Sequence, residues 1–405
     1  MSSSRNCAVC TIIPPYILQR LAEHPDPQVR NSARNTLLTT TLLRGQREVR
    51  SQLAISAAAQ GDGRRTIFDC NHGTDLSSAS LARSENGPAS SDDSVNEAYD
   101  GFGKTRDFYK AVFNRNSIDD HGLRLNGYVH YDNDYQNAFW DGSVMVFGDG
   151  DGVVFSSFTD SIDVIAHELT HGVTERTAGL EYHKQPGALN ESMSDVFGSL
   201  VKQWSLGQDA AGADWLIGAE VFTPATPGDA LRSMKAPGTA FKDVPAFGSD
   251  PQPDHMNKFV HLPDNQFNDW GGVHYNSGIP NKAFYLVATR IGGKAWEAPG
   301  HIWYQSLLAS TSTTDFQDFA DMTHMQAGRL YGTGSDEQHA VQSAWSDVGV
   351  RISGAPAVTR RLHGRAEAIN GHAEELTHKV ESLATQVKVL TRELKVLKSR
   401  AKERV

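Results

Sequence analysis

His167-Glu168-Leu169-Thr170-His171 is the stretch that decides how this chain is read. On a helix, positions i and i+4 share a face, so His167 and His171 can turn both imidazoles toward one metal ion. Glu168 follows the first histidine and can lean over the same ion to take a proton from a bound water. This is the spacing of the helical zinc-peptidase signature, and it suits a catalytic zinc, which keeps three protein ligands and one open position. Two duller readings compete: five residues recur by chance, and surface helices carry His and Glu at the same interval. The downstream sequence decides between them.

Two histidines leave one ligand to find. Helical-looking Asn190-Glu191-Ser192-Met193-Ser194-Asp195 offers Glu191, twenty positions after His171, and Asp195 one turn beyond. Glu191 can ligate. Asp195 can accept the outer N–H of a ligating imidazole and fix its tautomer. In isolation the pair reads as the solvated acidic face of an amphipathic helix; following HELTH at this distance, it reads as the rest of a metal site.

HELTHGVTERTAGLEY from His167, GALNESMSDVFGSLV from Gly187, LRSM from Leu231 and NDWGGVHYNSGI from Asn268 keep order and spacing. Together they resemble the thermolysin-like neutral metallopeptidases, from about Thr66 to about Val350. The resemblance implies an α+β, two-lobe fold: a mixed β/α N-lobe carrying the zinc helix, then a mainly helical C-lobe, with the active-site cleft between. It also implies a zinc-dependent endopeptidase. His167, His171 and Glu191 match the zinc ligands and Glu168 the general base. Tyr182 and His274 match the transition-state hydrogen-bond donors, and Asp269 the carboxylate that orients His274. Asn137 and Ala138 match the edge strand that holds substrate backbone, and Arg232 the arginine that grips a substrate carbonyl. Phe155, Phe158, Val164, Ile217 and Leu231 would line an apolar pocket, so cleavage is expected before large hydrophobic residues, with Phe158 narrowing the slot.

The chain departs from the family at its calcium ligands. Asp163 and Asp214 keep two positions of an internal double site, but others read Lys202, Leu216 and Ala219. Calcium needs six to eight oxygens. The double site is expected to be lost, with the Lys202 ammonium standing between the two aspartates. Thr223, Thr226 and Asp229 keep part of a second loop and leave room for one weaker calcium.

Composition sets outer bounds. At 405 residues two or three domains are expected, and a net charge of −10 argues against nucleic-acid binding. Cys7, Cys10 and Cys70 are the only cysteines, too few for a disulfide framework. No stretch is apolar for the length of a membrane span. The N-terminus lacks the apolar core of a signal peptide, so secretion, expected from the resemblance, would use another route; a cytoplasmic location is the alternative.

Four pieces are expected: 1–52, 53–178, 179–352 and 361–400. The first resembles the short propeptide of the protealysin-like branch, with Arg50–Gly63 as its cleavable linker. Pro14-Pro15 enforces an extended run of a kind that can lie along a cleft. Cys7 or Cys10 offers a thiolate to the zinc; a separate metal clip or a redox pair are the rival readings. From Leu362 to Leu397, apolar residues alternate in steps of four and three, a heptad seam with Val at a and Leu at d in its second half. A coiled-coil dimer is expected there, against the alternative of a helix docked on the enzyme. Three function classes follow: a zinc endopeptidase made as a zymogen, an inactive zinc-dependent assembly protein, and a permanently self-inhibited enzyme.

Overall fold

The computed structural model describes residues 10–51 and 61–353. Cys7, most of the expected linker and the whole heptad seam lie outside the described residues. The elements run β1 (Cys10–Thr11), α1 (Pro15–Leu21), α2 (Pro27–Ser51), β2 (Arg65–Asp69), β3 (Ser80–Ser84), α3 (Asp93–Phe113), β4 (Leu125–Val129), β5 (Ala138–Trp140) and β6 (Met145–Phe147). There follow α4 (Ile162–Glu175), α5 (Lys184–Leu206), β7 (Leu216–Ile217), β8 (Arg232–Ser233), α6 (Asp269–Asn276), α7 (Gly278–Ile291), α8 (Ala298–Ala309), α9 (Phe316–Tyr331) and α10 (Asp336–Asp347). The two-lobe expectation holds: strands and α3 come first, and helices dominate after α5.

A mixed sheet of order β1-β5-β6-β4-β2-β3 underlies the first half. β2, β4 and β6 run parallel, while β3, β5 and β1 are antiparallel to their neighbours. The sequence sets the helix ends: Asp92 caps α3 by accepting the Val95 N–H, and Asn114 closes it in the left-handed region, a common way to satisfy terminal carbonyls.

The zinc-motif helix α4 is buried along most of its length, and its neighbours lie close. A Cβ on Gly198 of α5 would stand 2.6 Å from the Asp163 carbonyl oxygen. Only glycine lets α5 approach α4 so nearly, and that approach brings Glu191 and Asp195 to the histidines.

The N-terminal segment is built into this body. Ile12, Ile13, Ile17 and Leu21 are fully buried, each worth about 1.5–3 kcal/mol of transfer free energy. Pro15 opens α1 at a position where its missing N–H costs nothing. Polar ties fix the rest: Arg20 to the Phe247 carbonyl (2.6 Å), Ser32 to the Asp134 carbonyl (2.6 Å), and the Gln136 N–H to Thr36 Oγ1 (3.0 Å). The helix α2 runs to Ser51, so the first residues of the expected linker are helical. Gly61 is docked by its N–H on the His121 carbonyl.

Candidate active site and metal centre

His167 and His171 lie one turn apart on α4, with their Nε2 atoms 3.0 Å from each other. Glu191 on α5 completes the set, Oε2 at 3.4 Å from His167 Nε2 and Oε1 at 3.5 Å from His171 Nε2. Zinc ligands about 2.0–2.1 Å from one ion at tetrahedral angles stand about 3.3 Å apart. The three side chains are buried, and Glu191 Oε2 has no hydrogen-bond partner. Two imidazole nitrogens facing each other beside an orphaned carboxylate oxygen make a set that fits a metal ion. Cys10 does not belong to this group.

The outer ring nitrogens are fixed. His167 Nδ1 meets Asp195 Oδ1 at 2.8 Å, and His171 Nδ1 meets Asn190 Oδ1 at 2.8 Å. Asn190 is itself turned by its Nδ2 donation to the Leu180 carbonyl. Both Nε2 atoms therefore point inward as acceptors. Asp195 also takes Nε and Nη2 of Arg232 at 2.9 and 2.8 Å, and Nδ2 of Asn281 at 2.8 Å. Burial alone would raise the Asp195 carboxyl; Arg232 and His167 overcome it and hold it at about 2.

Glu168 is fully buried. Its Oε2 accepts the Trp140 N–H of β5 at 3.1 Å, while Oε1 has no hydrogen-bond partner. Burial pushes its carboxyl well above the ordinary value. An acceptor left vacant beside the metal group suits a proton carrier.

Opposite stands His274, at the start of the regular part of α6. Asp269, Trp270, Gly271 and Gly272 before it all have φ between 49° and 84°. This left-handed run is where the two glycines are needed. It folds Asp269 back on the histidine: Oδ2 accepts the His274 N–H at 2.7 Å and Oδ1 meets Nδ1 at 2.5 Å. Burial lowers the His274 imidazole, the Asp269 and Glu191 carboxylates more than reverse this, and it rests above its ordinary value. Asp269 thus turns the ring so that its Nε2 faces the metal group, 3.5 Å from Glu191 Oε2. Tyr182 Oη donates to Glu191 and stands 3.4 Å from that same Nε2.

A stretch of the N-terminal segment runs through this site. Cys10–Thr11 pairs antiparallel with β5, Cys10 opposite Trp140 and Thr11 opposite Phe139. Thr11 O lies 3.0 Å from His274 Nε2. The Ile12 N–H reaches the Ala138 carbonyl at 3.3 Å, and the Ile12 carbonyl accepts Arg232 Nη1 at 3.0 Å. The Ile13 N–H reaches Asn137 Oδ1 at 3.0 Å. Phe155, Phe158, Val164, Ile217, Leu231 and Ile12 are all buried in one apolar core.

His167, His171, Glu191, Asp195, Tyr182, His274, Asp269 and Arg232 are linked by contacts within one site, and Asn137 and Ala138 meet the same N-terminal segment, while Lys202, Asp163 and Asp214 form a separate cluster. Sequence reasoning missed Asn190, adjacent to Glu191, and Asn281. It also missed Glu220, which joins Asp163 and Asp214 around Lys202: the ammonium stands 3.2, 3.1 and 3.3 Å from the three carboxylates. Thr223 and Thr226 donate their hydroxyls to the Val153 and Val154 carbonyls.

Residues 40–175 match the model of the thermolysin metallopeptidase catalytic domain, and residues 178–350 that of the thermolysin metallopeptidase alpha-helical domain. Residues 10–49 match the protealysin propeptide. An extracellular metalloprotease of Pectobacterium carotovorum subsp. carotovorum is 48% identical over 347 residues, 85% of this chain and 97% of that protein. Protease PrtS of Photorhabdus sp. (strain Az29) is 44% identical, over 84% of this chain and 92% of its own length. The solved precursor of protealysin, a metalloproteinase from Serratia proteamaculans, superposes with a TM-score of 0.76 at 47% identity, over 84% of this chain and 99% of that one.

Proposed function

The chain belongs to the thermolysin metallopeptidase family and is a zinc metalloendopeptidase made with a protealysin-type propeptide; within that frame we propose the following division of labour. His167, His171 and Glu191 would hold the zinc ion, which when bound would supply Lewis acidity and lower the pKa of a water toward neutrality. Glu168 takes the proton of the attacking water on its vacant Oε1 and passes it to the leaving nitrogen. His274, oriented by Asp269, and Tyr182 donate to the oxygen on which charge develops; such preorganised donors act mainly in the transition state. Ala138 and Asn137 hold the backbone beyond the scissile bond, and Arg232 its carbonyl. The pocket of Phe155, Phe158, Val164, Ile217 and Leu231 selects a large hydrophobic residue after that bond.

The observation that carries this reading is the convergence of three buried ligand atoms beside a carboxylate with one vacant oxygen. The test is degradation of casein by the processed enzyme with and without a zinc chelator, beside Glu168→Gln. Chelator-sensitive hydrolysis that the variant lacks is expected; chelator-insensitive turnover would overturn it.

In the precursor, we propose, Thr11 to Ile13 block the cleft, since they occupy His274, Ala138, Arg232 and Asn137 together. Lys202 replaces the ions of the double calcium site, which its three carboxylate contacts support. The loop of Thr223, Thr226 and Asp229 is the place proposed for one weak calcium. Action outside the cell is proposed because the Pectobacterium relative is an extracellular metalloprotease. No described helix is long and apolar enough to cross a membrane. Pairing of two chains through residues 362–397 remains part of the proposal, on the heptad pattern alone.

A further inference from the structure

The segment in the cleft is more than a plug. We propose that the Thr11–Ile12 peptide bond is held in the register of a scissile bond and is cut by the enzyme's own site within the same chain. The inference rests on the roles assigned above to Glu168, His274 and Arg232.

The two groups of this bond face opposite machinery. Its carbonyl oxygen meets His274 Nε2 at 3.0 Å, the donor proposed for the developing oxyanion. Its N–H meets the Ala138 carbonyl at 3.3 Å. On the far side, the Ile12 carbonyl is taken by Arg232 at 3.0 Å and the Ile13 N–H by Asn137 at 3.0 Å. The strand direction is antiparallel to β5. A segment bound backwards or one residue out of step would present different groups to these four partners, because backbone donors and acceptors alternate along a strand. Ile12 is wholly buried, and the residue after the bond is itself a large apolar one. Glu168 is tied by Oε2 to the N–H of Trp140, the residue paired with Cys10, which leaves Oε1 vacant beside the same strand.

The step balances without any other reactant. The Thr11 carbonyl carbon to Ile12 nitrogen bond breaks. The oxygen of a water stays in the new Thr11 carboxylate, and a water proton reaches the Ile12 nitrogen through Glu168. The new chain begins at Ile12 and remains fastened by α1 and α2, whose ties to Phe247, Asp134 and Gln136 the cut does not touch.

The experiment uses the full-length chain and its Glu168→Gln variant, each stripped of metal and then given zinc in water enriched in oxygen-18. Intact-mass spectrometry should find a species beginning at Ile12 and a released peptide 1–11 whose Thr11 carboxylate carries the label. The wild type should show it at a rate independent of protein concentration; the variant and the chelated wild type should not. Hydrogen exchange on zinc-free Glu168→Gln gives a readout apart from activity: a peptic fragment holding Ile12 and Ile13 should be protected as strand amides are. An intact Thr11–Ile12 bond in a preparation that degrades casein once processed would overturn this inference and leave the function standing. So would a cut whose rate rises with concentration, or an unprotected fragment. An intact Thr11–Ile12 bond together with casein left untouched by the processed enzyme would overturn the functional reading and this inference with it.

Discussion

Asp195 and Arg232 face each other through two parallel hydrogen bonds of 2.8 and 2.9 Å, and the carboxylate that grips the guanidinium also orients His167. One buried carboxylate therefore ties His167 of the metal group to Arg232, which takes the Ile12 carbonyl of the N-terminal segment. Losing an outer partner of a metal-bound histidine costs about 10–100-fold in metal affinity. Asp195→Asn is expected to weaken zinc by that order in competitive chelation and to raise KM as Arg232 loosens. Unchanged zinc affinity would show that the histidine is oriented by something else.

Glu168→Ala should keep zinc, since all three ligands remain, and lose peptide hydrolysis. His274→Ala removes a donor, and such losses run to about 10²–10³ in kcat. Steady-state kinetics on a small peptide would show this as a fall in kcat with little change in KM. A loss carried by KM alone would move His274 from the transition state to ground-state binding.

Lys202 is a single ammonium among three carboxylates, one of which, Asp163, is fully buried. Removing one partner of a buried charge pair costs about 3–5 kcal/mol, so Lys202→Met should lower the melting temperature sharply. Lys202→Glu should recover stability on addition of millimolar calcium, well beyond any small gain that the weak loop site gives the wild type. A calorimetric scan with and without calcium checks both. A wild type stabilised by calcium to the same extent would return the ion to this site.

His130 joins Asp149 through Nδ1 (2.9 Å) and Asp92, the cap of α3, through Nε2 (2.8 Å). Its hydrogen bond to Asp149 raises the imidazole from 6.5 to about 9 against the opposing effect of burial. A raised folded-state pKa gives stability that is complete below the unfolded value and is lost as pH climbs through the folded one. The difference in melting temperature between wild type and His130→Gln should thus be largest below about pH 6.5 and shrink by about pH 9. A difference that grows with pH would reverse the assignment. His72 also stands 3.5 Å from Asp149.

If residues 362–397 form a two-stranded coil, light scattering should find a dimer for the full chain and a monomer after deletion beyond Ser353, with equal activity on small peptides. Leu383→Asp with Leu390→Asp should dissociate the dimer and spare catalysis. A full chain that is monomeric, or a double variant that is folded but inactive, would favour a tail docked on the enzyme.

The metal site was legible in the sequence because its geometry is local. His167 and His171 need only one helical period, and Glu191 with Asp195 repeats that period on the next helix. The roles of Tyr182, Arg232 and His274 came from family resemblance, since no periodicity links residues that meet only when β8, α5 and the turn into α6 pack. Asn190 and Glu220 escaped notice for the same reason. Each acts on a partner that tertiary packing selects, and nothing local distinguishes them from ordinary polar residues. The strand Cys10–Thr11 is two residues long, too short to show alternation, yet Pro14-Pro15 did point to an extended run before it. The left-handed turn from Asp269 to Gly272 was signalled only by its paired glycines.

The row β1-β5-β6 also has a meaning for the processed enzyme. Once the first strand leaves, Ala138 to Trp140 become a bare edge, and each visitor must lend a strand to complete the sheet. What is read first is then shape rather than side chains: a target has to surrender a few residues of straight, unpaired main chain before any pocket can weigh its sequence. Tightly folded neighbours would pass the cleft untouched, and loosened or frayed ones would be taken, so selectivity among proteins in the surroundings would follow their local unfolding more closely than their composition.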